Sequence, residues 1–230
     1  YLNKMSKINI DISKLIDLNK LKNIFNINLN IFIRTILLTF SFFWFTYLGS
    51  QIGEDYIAAN AILINLVFLS AFILDAYAFS TEGMVGYSLG KKDISLFKKI
   101  VKNSFILSTL TGLIISIIYF FINKHVITLM SDIETIRNLS SSYAVWLILM
   151  PLISSFCYQF DGIFIGASQT KELRNAMVFS VFSYLLMSLY LTKLIGNTGI
   201  WISLSLFMVL RALSLFYYLD KIYLRFPTGK

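Results

Sequence analysis

The chain has 230 residues, 57% of them hydrophobic and 14% charged, with a mean hydropathy of +0.73 and a net charge of +8. That much apolar surface beside so few charges excludes a soluble domain, which runs about a quarter charged and would leave large apolar areas exposed here. The basic excess does not point to nucleic acid, because the Lys and Arg residues sit in the gaps between apolar runs.

Residues 1–28 put Met5, Ile8, Ile12, Leu15 and Leu18 at helical spacing, with Lys4, Lys7, Asp11 and Lys14 largely on another face. This is the pattern of a helix lying along an anionic membrane surface, and the Asn- and Ile-rich composition fits a looped linker as well. The chain opens at Tyr1 without a signal peptide, which reads as a fragment whose N-terminal part is missing.

A membrane helix needs about 20 apolar residues, and six uncharged windows meet that requirement. They run over residues 35–53, 56–74, 103–123, 138–160, 175–192 and 194–210, and the helices are predicted to extend beyond several of these limits. Stretches such as Leu113 to Ile122 lack the polar alternation of a membrane strand. The expected fold is therefore all-α: a polytopic six-helix transmembrane bundle over residues 29–222, followed by a tail at 223–230.

Basic residues of short loops are retained on the cytoplasmic side. Sixteen Lys and Arg fall on one set of loops and termini, against three (Lys124, Arg137 and Lys193) on the other, with Arg211 inside the last span. Both termini are thus expected in the cytoplasm of a bacterial-type inner membrane.

Four charged residues lie inside the apolar windows or just beyond them, where charge is costly unless it faces a cavity or a partner. Asp75 and Glu82 are seven residues apart, nearly the same face of a helix, and a stripe of two carboxylates suits contact with an ion or a cationic substrate. The alternative is that Asp75 is a hydrogen-bonded strut and Glu82 reaches the cytoplasmic interface. Asp161 and Arg211 form a candidate structural ion pair. Pro151 is expected to kink the fourth span, and Gly83, Gly86 and Gly90 to loosen the end of the second. Phe42, Phe43, Trp44, Phe45 and Tyr47 either line a cavity for cations or pack against lipid and neighbouring helices. Cys157 has no disulfide partner, and the lone His125 is read as solvated in an external loop. No Ser/His/Asp set, phosphate loop or metal motif is present, so neither an enzyme nor a metal cofactor is expected.

Several blocks in order resemble the C-terminal half of a multidrug and toxic compound extrusion (MATE) transporter of the DinF-like branch. They are Asn30-Ile-Phe-Ile-Arg-Thr35, Ala58-Ala-Asn-Ala-Ile-Leu63, Leu74-Asp75, Glu82, Val85-Gly86, Asp161-Gly-Ile-Phe-Ile-Gly-Ala167, Leu173-Arg-Asn-Ala-Met177, Gly196-Asn-Thr-Gly-Ile-Trp201 and Phe207-Met-Val-Leu-Arg211. The sequence departs from the family pattern at Ala76 and at Ser80-Thr81-Glu82-Gly83. The resemblance implies helices seven to twelve of a twelve-helix antiporter that exports organic cations or drugs in exchange for H+ or Na+. A six-helix N-terminal lobe would be the missing partner, and residues 1–28 the connector between lobes. The rival readings are a lipid-linked oligosaccharide flippase of the same superfamily and an inactive or partner-requiring half-transporter.

Overall fold

The computed structural model describes residues 18–226. Most of the amphipathic N-terminal pattern, from Met5 to Leu15, lies outside the described residues. Among those described, six helices are long and apolar enough to cross a membrane: α1 (Leu18–Ile52), α2 (Glu54–Gly90), α3 (Ile94–Met130), α5 (Ala144–Gly166), α6 (Thr170–Ile195) and α7 (Asn197–Tyr218). A short α4 (Glu134–Ser142) precedes α5, and one turn, α8 (Asp220–Tyr223), follows α7. Residues 18–28 are helical and continuous with the first span.

The helices outrun the apolar windows. α2 and α3 have 37 residues each, about 55 Å at 1.5 Å per residue against a hydrocarbon core of about 30 Å. Hydropathy falls where charges begin, whereas helical hydrogen bonding continues until the backbone turns. Between α2 and α3 it turns at Lys92 (φ 55°), and Asp93 caps α3 by accepting the Leu96 amide at 2.9 Å and the Ser95 hydroxyl at 2.7 Å. Those two bonds, the amide's foremost, hold the Asp93 carboxyl below the usual carboxylate range. His125, expected in a loop, is an exposed residue of α3 for the same reason.

Two window limits are corrected. The fourth window crosses a helix break at Tyr143 (φ −101°, ψ 4°), so Asn138 belongs to α4 and the span begins at Ala144. Three serines precede the break, and the Ser142 hydroxyl donates to the Leu139 carbonyl at 2.7 Å, the local competition that makes serine a poor helix interior. The sixth window opens inside α6, because the chain turns at Gly196 with φ +59°, a left-handed conformation that glycine adopts without strain.

The span of α5 is 67% buried and that of α1 17%, so α5 is the axis of the bundle and α1 lies on its flank. α5 packs against α2, α3 and α7, while α6 joins α7 to α1. α5 remains helical through Pro151, whose carbonyl lies where a Cβ on Gly112 would come within 2.9 Å. Of the clustered aromatics, Phe45 packs on Trp201 and Phe42 on Phe68, each with ring centroids 4.8 Å apart, and the Trp44 indole donates to the Ser188 hydroxyl at 3.0 Å. The outer faces carry exposed Phe72, Phe121, Phe182 and Phe216, a surface suited to lipid and costly in water.

One buried polar cluster ties α2 to α7. Asn60 donates to Asn197 at 2.6 Å and accepts from Asn197 at 3.0 Å and from the Trp201 indole at 2.9 Å. All three residues are 2% exposed or less. Replacing Asn60 by leucine strands the Trp201 donor and both groups of the Asn197 amide, at about 1–3 kcal/mol. The expected result is a thermal midpoint for Asn60→Leu below that of the unaltered chain, measured by thermal unfolding in detergent.

Candidate functional site

Three helices present side chains at helical spacing to one small cavity. α2 contributes Asp75, Ala78, Phe79 and Glu82, and α5 contributes Tyr158, Asp161, Gly162 and Ile165, in both cases the i, i+3, i+4, i+7 face of a helix. α1 adds Arg34 and Leu38, one turn apart. The cavity measures about 130 Å³.

The α2 and α5 backbones meet there because α5 carries glycine at the contact. A Cβ on Gly162 would collide with the Ala78 carbonyl, and one on Gly166 would collide with the Glu82 carbonyl and come within 2.9 Å of the Glu82 Cα. Gly162 and Gly166 form a small-xxx-small pair, the device by which membrane helices approach closely enough for backbone packing. That crossing fixes the height of Glu82 against Asp161.

Asp161 is 4% exposed. Its Oδ2 accepts from Nη2 of Arg211 at 2.6 Å and also from Nη2 of Arg34, while its Oδ1, although buried, has no partner. The two arginines are held differently. Arg211 is 1% exposed, with Nη1 3.6 Å from the Met208 sulfur and its guanidinium 5.4 Å from the Phe207 ring centre. Among the described residues Arg34 makes one ion pair, to Asp161, and its Nε is buried without a partner.

Asp75 and Glu82 are half-buried, and neither forms an ion pair among the described residues. Three carboxylates therefore line the cavity with one guanidinium, that of Arg34, and the same carboxylate that holds Arg34 also holds Arg211, which is not part of the lining. Among the described residues no three His, Cys, Asp or Glu side chains converge closely enough to hold a metal ion. Beside the site, Gln159 is fully buried with its amide 3.0 Å from the Thr81 hydroxyl.

Arg34 is the residue that sequence reasoning missed. It borders the uncharged window that opens at Thr35 and counts among the basic residues of the cytoplasmic set, yet α1 begins sixteen residues before it. One turn earlier, Asn30 accepts from Arg174 at 2.8 Å and lies 3.4 Å from the Thr170 hydroxyl, which clasps α1 to the start of α6. Both Asn30 and Arg34 fall in the first of the ordered sequence blocks, which was the available signal.

Comparison with known proteins agrees with this fold. Residues 31–194 match the MatE family model. The chain is 34% identical over 189 residues to the DNA damage-inducible protein F of Escherichia coli, an alignment covering 82% of this chain and 41% of that protein. It is 23% identical over 181 residues to Protein DETOXIFICATION 43 of Arabidopsis thaliana, covering 79% and 34%. The chain thus spans well under half the length of these relatives. Among solved structures, it is similar to the Vibrio cholerae MATE transporter VcmN in the bent form, with a TM-score of 0.78 at 18% identity over 95% of this chain and 50% of that one. A transporter of the MOP superfamily from Pyrococcus furiosus gives a TM-score of 0.77 at 21% identity over 86% and 44%.

Proposed function

Because the chain belongs to the MatE family, we propose that it forms one lobe, helices seven to twelve, of a secondary antiporter that exports organic cations or drugs in exchange for H+ or Na+. In this reading the lobe lies in a bacterial-type inner membrane with both termini in the cytoplasm, and a second six-helix lobe completes the transporter. Asp75 and Glu82 contact the ion or the cationic part of the cargo, and the Asp161–Arg211 pair is scaffold.

The observation that carries this reading is the shared cavity, in which Asp75 and Glu82 stand without ion partners among the described residues, beside a carboxylate that two guanidiniums already neutralise. An intramembrane carboxylate left unpaired is costly, and such residues face the bundle interior or a water-filled cavity and mark ion or substrate pathways. Size narrows the role. About 130 Å³ holds a few waters at about 30 Å³ each, whereas drug-sized ligands fill about 300–1,000 Å³. An ion or a charged head group fits, and the body of a drug would lie outside, against the partner lobe. Cargo and coupling ion that favour opposite facings of the two lobes would then shift one equilibrium in opposite directions. The flippase reading wants a cationic cavity for pyrophosphate, and carboxylates outnumber guanidiniums here.

The test is transport in proteoliposomes by the complete transporter that contains this chain. Asp75→Asn with Glu82→Gln is expected to slow gradient-driven efflux by at least about tenfold, the equivalent of ~1.4 kcal/mol at the barrier. Efflux with an unaltered rate and pH dependence would remove both residues from the mechanism.

A further inference from the structure

Arg34 is a ligand-shaped group that already occupies the site. Its side chain is an alkylguanidinium delivered by α1, the least buried of the six spans, into a cavity whose walls come from α2 and α5. It is seated on the Oδ2 of Asp161, although that oxygen is also bonded to Arg211. The two arginines are not equivalent. Arg211 has a fully buried stem, a sulfur contact and an aromatic face against its guanidinium, whereas the side chain of Arg34 is 16% exposed and has Asp161 as its one ion partner among the described residues. Arg34 can leave while Asp161 stays neutralised by Arg211.

We propose that Arg34 is a built-in competitor for the cavity, and that the cargo which displaces it carries a guanidinium or amidinium head group. The class follows from the acceptors. Asp161 offers an Oδ1 that is buried and unpartnered and an Oδ2 that Arg34 would vacate, the paired oxygens that a planar N–H fork binds in bidentate fashion. Asp75 and Glu82 supply further acceptors around the same small volume. Quaternary ammonium ions have no N–H to donate and would leave these oxygens unsatisfied. Metal ions require donors to converge, which these carboxylates do not do. Displacing Arg34 releases α1 from α5, which ties occupancy of the site to the position of the flanking helix. This inference rests on the reading that the cavity receives the charged part of the cargo.

Chemical rescue tests it. The full chain in lipid nanodiscs is titrated with n-butylguanidinium, with tetramethylammonium as the cation lacking donors. Arg34→Ala is expected to bind n-butylguanidinium at least about tenfold more tightly than the unaltered chain, the factor expected if Arg34 fills the seat about nine tenths of the time. The bound ligand should also restore the thermal midpoint that Arg34→Ala loses, and Asp161→Asn in the same background should abolish the rescue. Arg34→Lys, which keeps the charge but not the planar N–H fork, should bind n-butylguanidinium with an affinity between those of Arg34→Ala and the unaltered chain.

Equal affinity of Arg34→Ala and the unaltered chain, or rescue by tetramethylammonium as effective as by n-butylguanidinium, would overturn the proposal. Its failure is separable from failure of the proposed function. Efflux that depends on Asp75 and Glu82 without rescue at Arg34 refutes the competitor alone. Rescue without any efflux leaves a guanidinium site in a chain that does not transport.

Discussion

Gly162→Val and Gly166→Val are each expected to destabilise the bundle by about 3 kcal/mol, a fall of ~6–12 °C in the thermal midpoint for a domain of this size. At both positions the new side chain meets α2 backbone, the Ala78 carbonyl for one and the Glu82 carbonyl and Cα for the other. A clash with a flexible side-chain tip relaxes cheaply, but here two helices must part. Parting them moves Asp161, which precedes Gly162, and Glu82, which lies under Gly166, so the site is disturbed along with the fold. Gly83 and Gly90, on the same α2 helix, have nothing within 4 Å of an added Cβ. Alanine at those positions is expected to be neutral or to stabilise by about 0.5–1 kcal/mol through helix propensity. Thermal unfolding of the four variants in detergent decides the matter, and matching midpoints across the two pairs would refute a tight α2–α5 crossing.

Asp161→Leu is expected to be the most damaging single change to the charged network. It leaves two guanidiniums facing one another, one of them 1% exposed, and stripping one partner from a buried pair costs about 3–5 kcal/mol. Arg211→Leu should cost less, because Asp161 keeps Arg34, and Arg34→Leu least, because Arg211 remains in place. The double variant Asp161→Leu with Arg211→Leu is expected to be more stable than Asp161→Leu alone, since it removes the orphaned charge that the single change creates. Yield of monodisperse protein and thermal midpoint are the readouts. An Asp161→Leu chain as stable as the unaltered one would mean that the carboxylate does not hold the arginines.

The site was partly legible in the residues. Asp75 and Glu82 share a helix, so a separation of seven fixes them to one face, and both reach the cavity. Asp161 and Arg211 stood out because each is a charge within or at the end of an apolar stretch, and they meet at 2.6 Å. Arg34 did not stand out, because it sits where the apolar run starts and a window cannot distinguish a residue that ends a helix from one that lies mid-helix. The role of Gly162 and Gly166 was hidden for another reason. Their spacing permits a close crossing on either helix face, and which neighbour comes close depends on how α5 is turned. The break at Tyr143 was missed because serines are uncharged and pass a hydropathy test that helical hydrogen bonding does not.

The number of spans and the lipid around them were decided by the sequence alone, because both depend on the length of uninterrupted apolar runs measured against a bilayer about 30 Å thick. Tertiary structure decided which charges neutralise one another. Arg34 and Asp161 are 127 residues apart and Arg211 and Asp161 are 50, and contacts of that range arise from the angle and depth at which helices cross. Those are set by glycines and packed side chains on both partners at once, so no stretch of the chain carries them by itself.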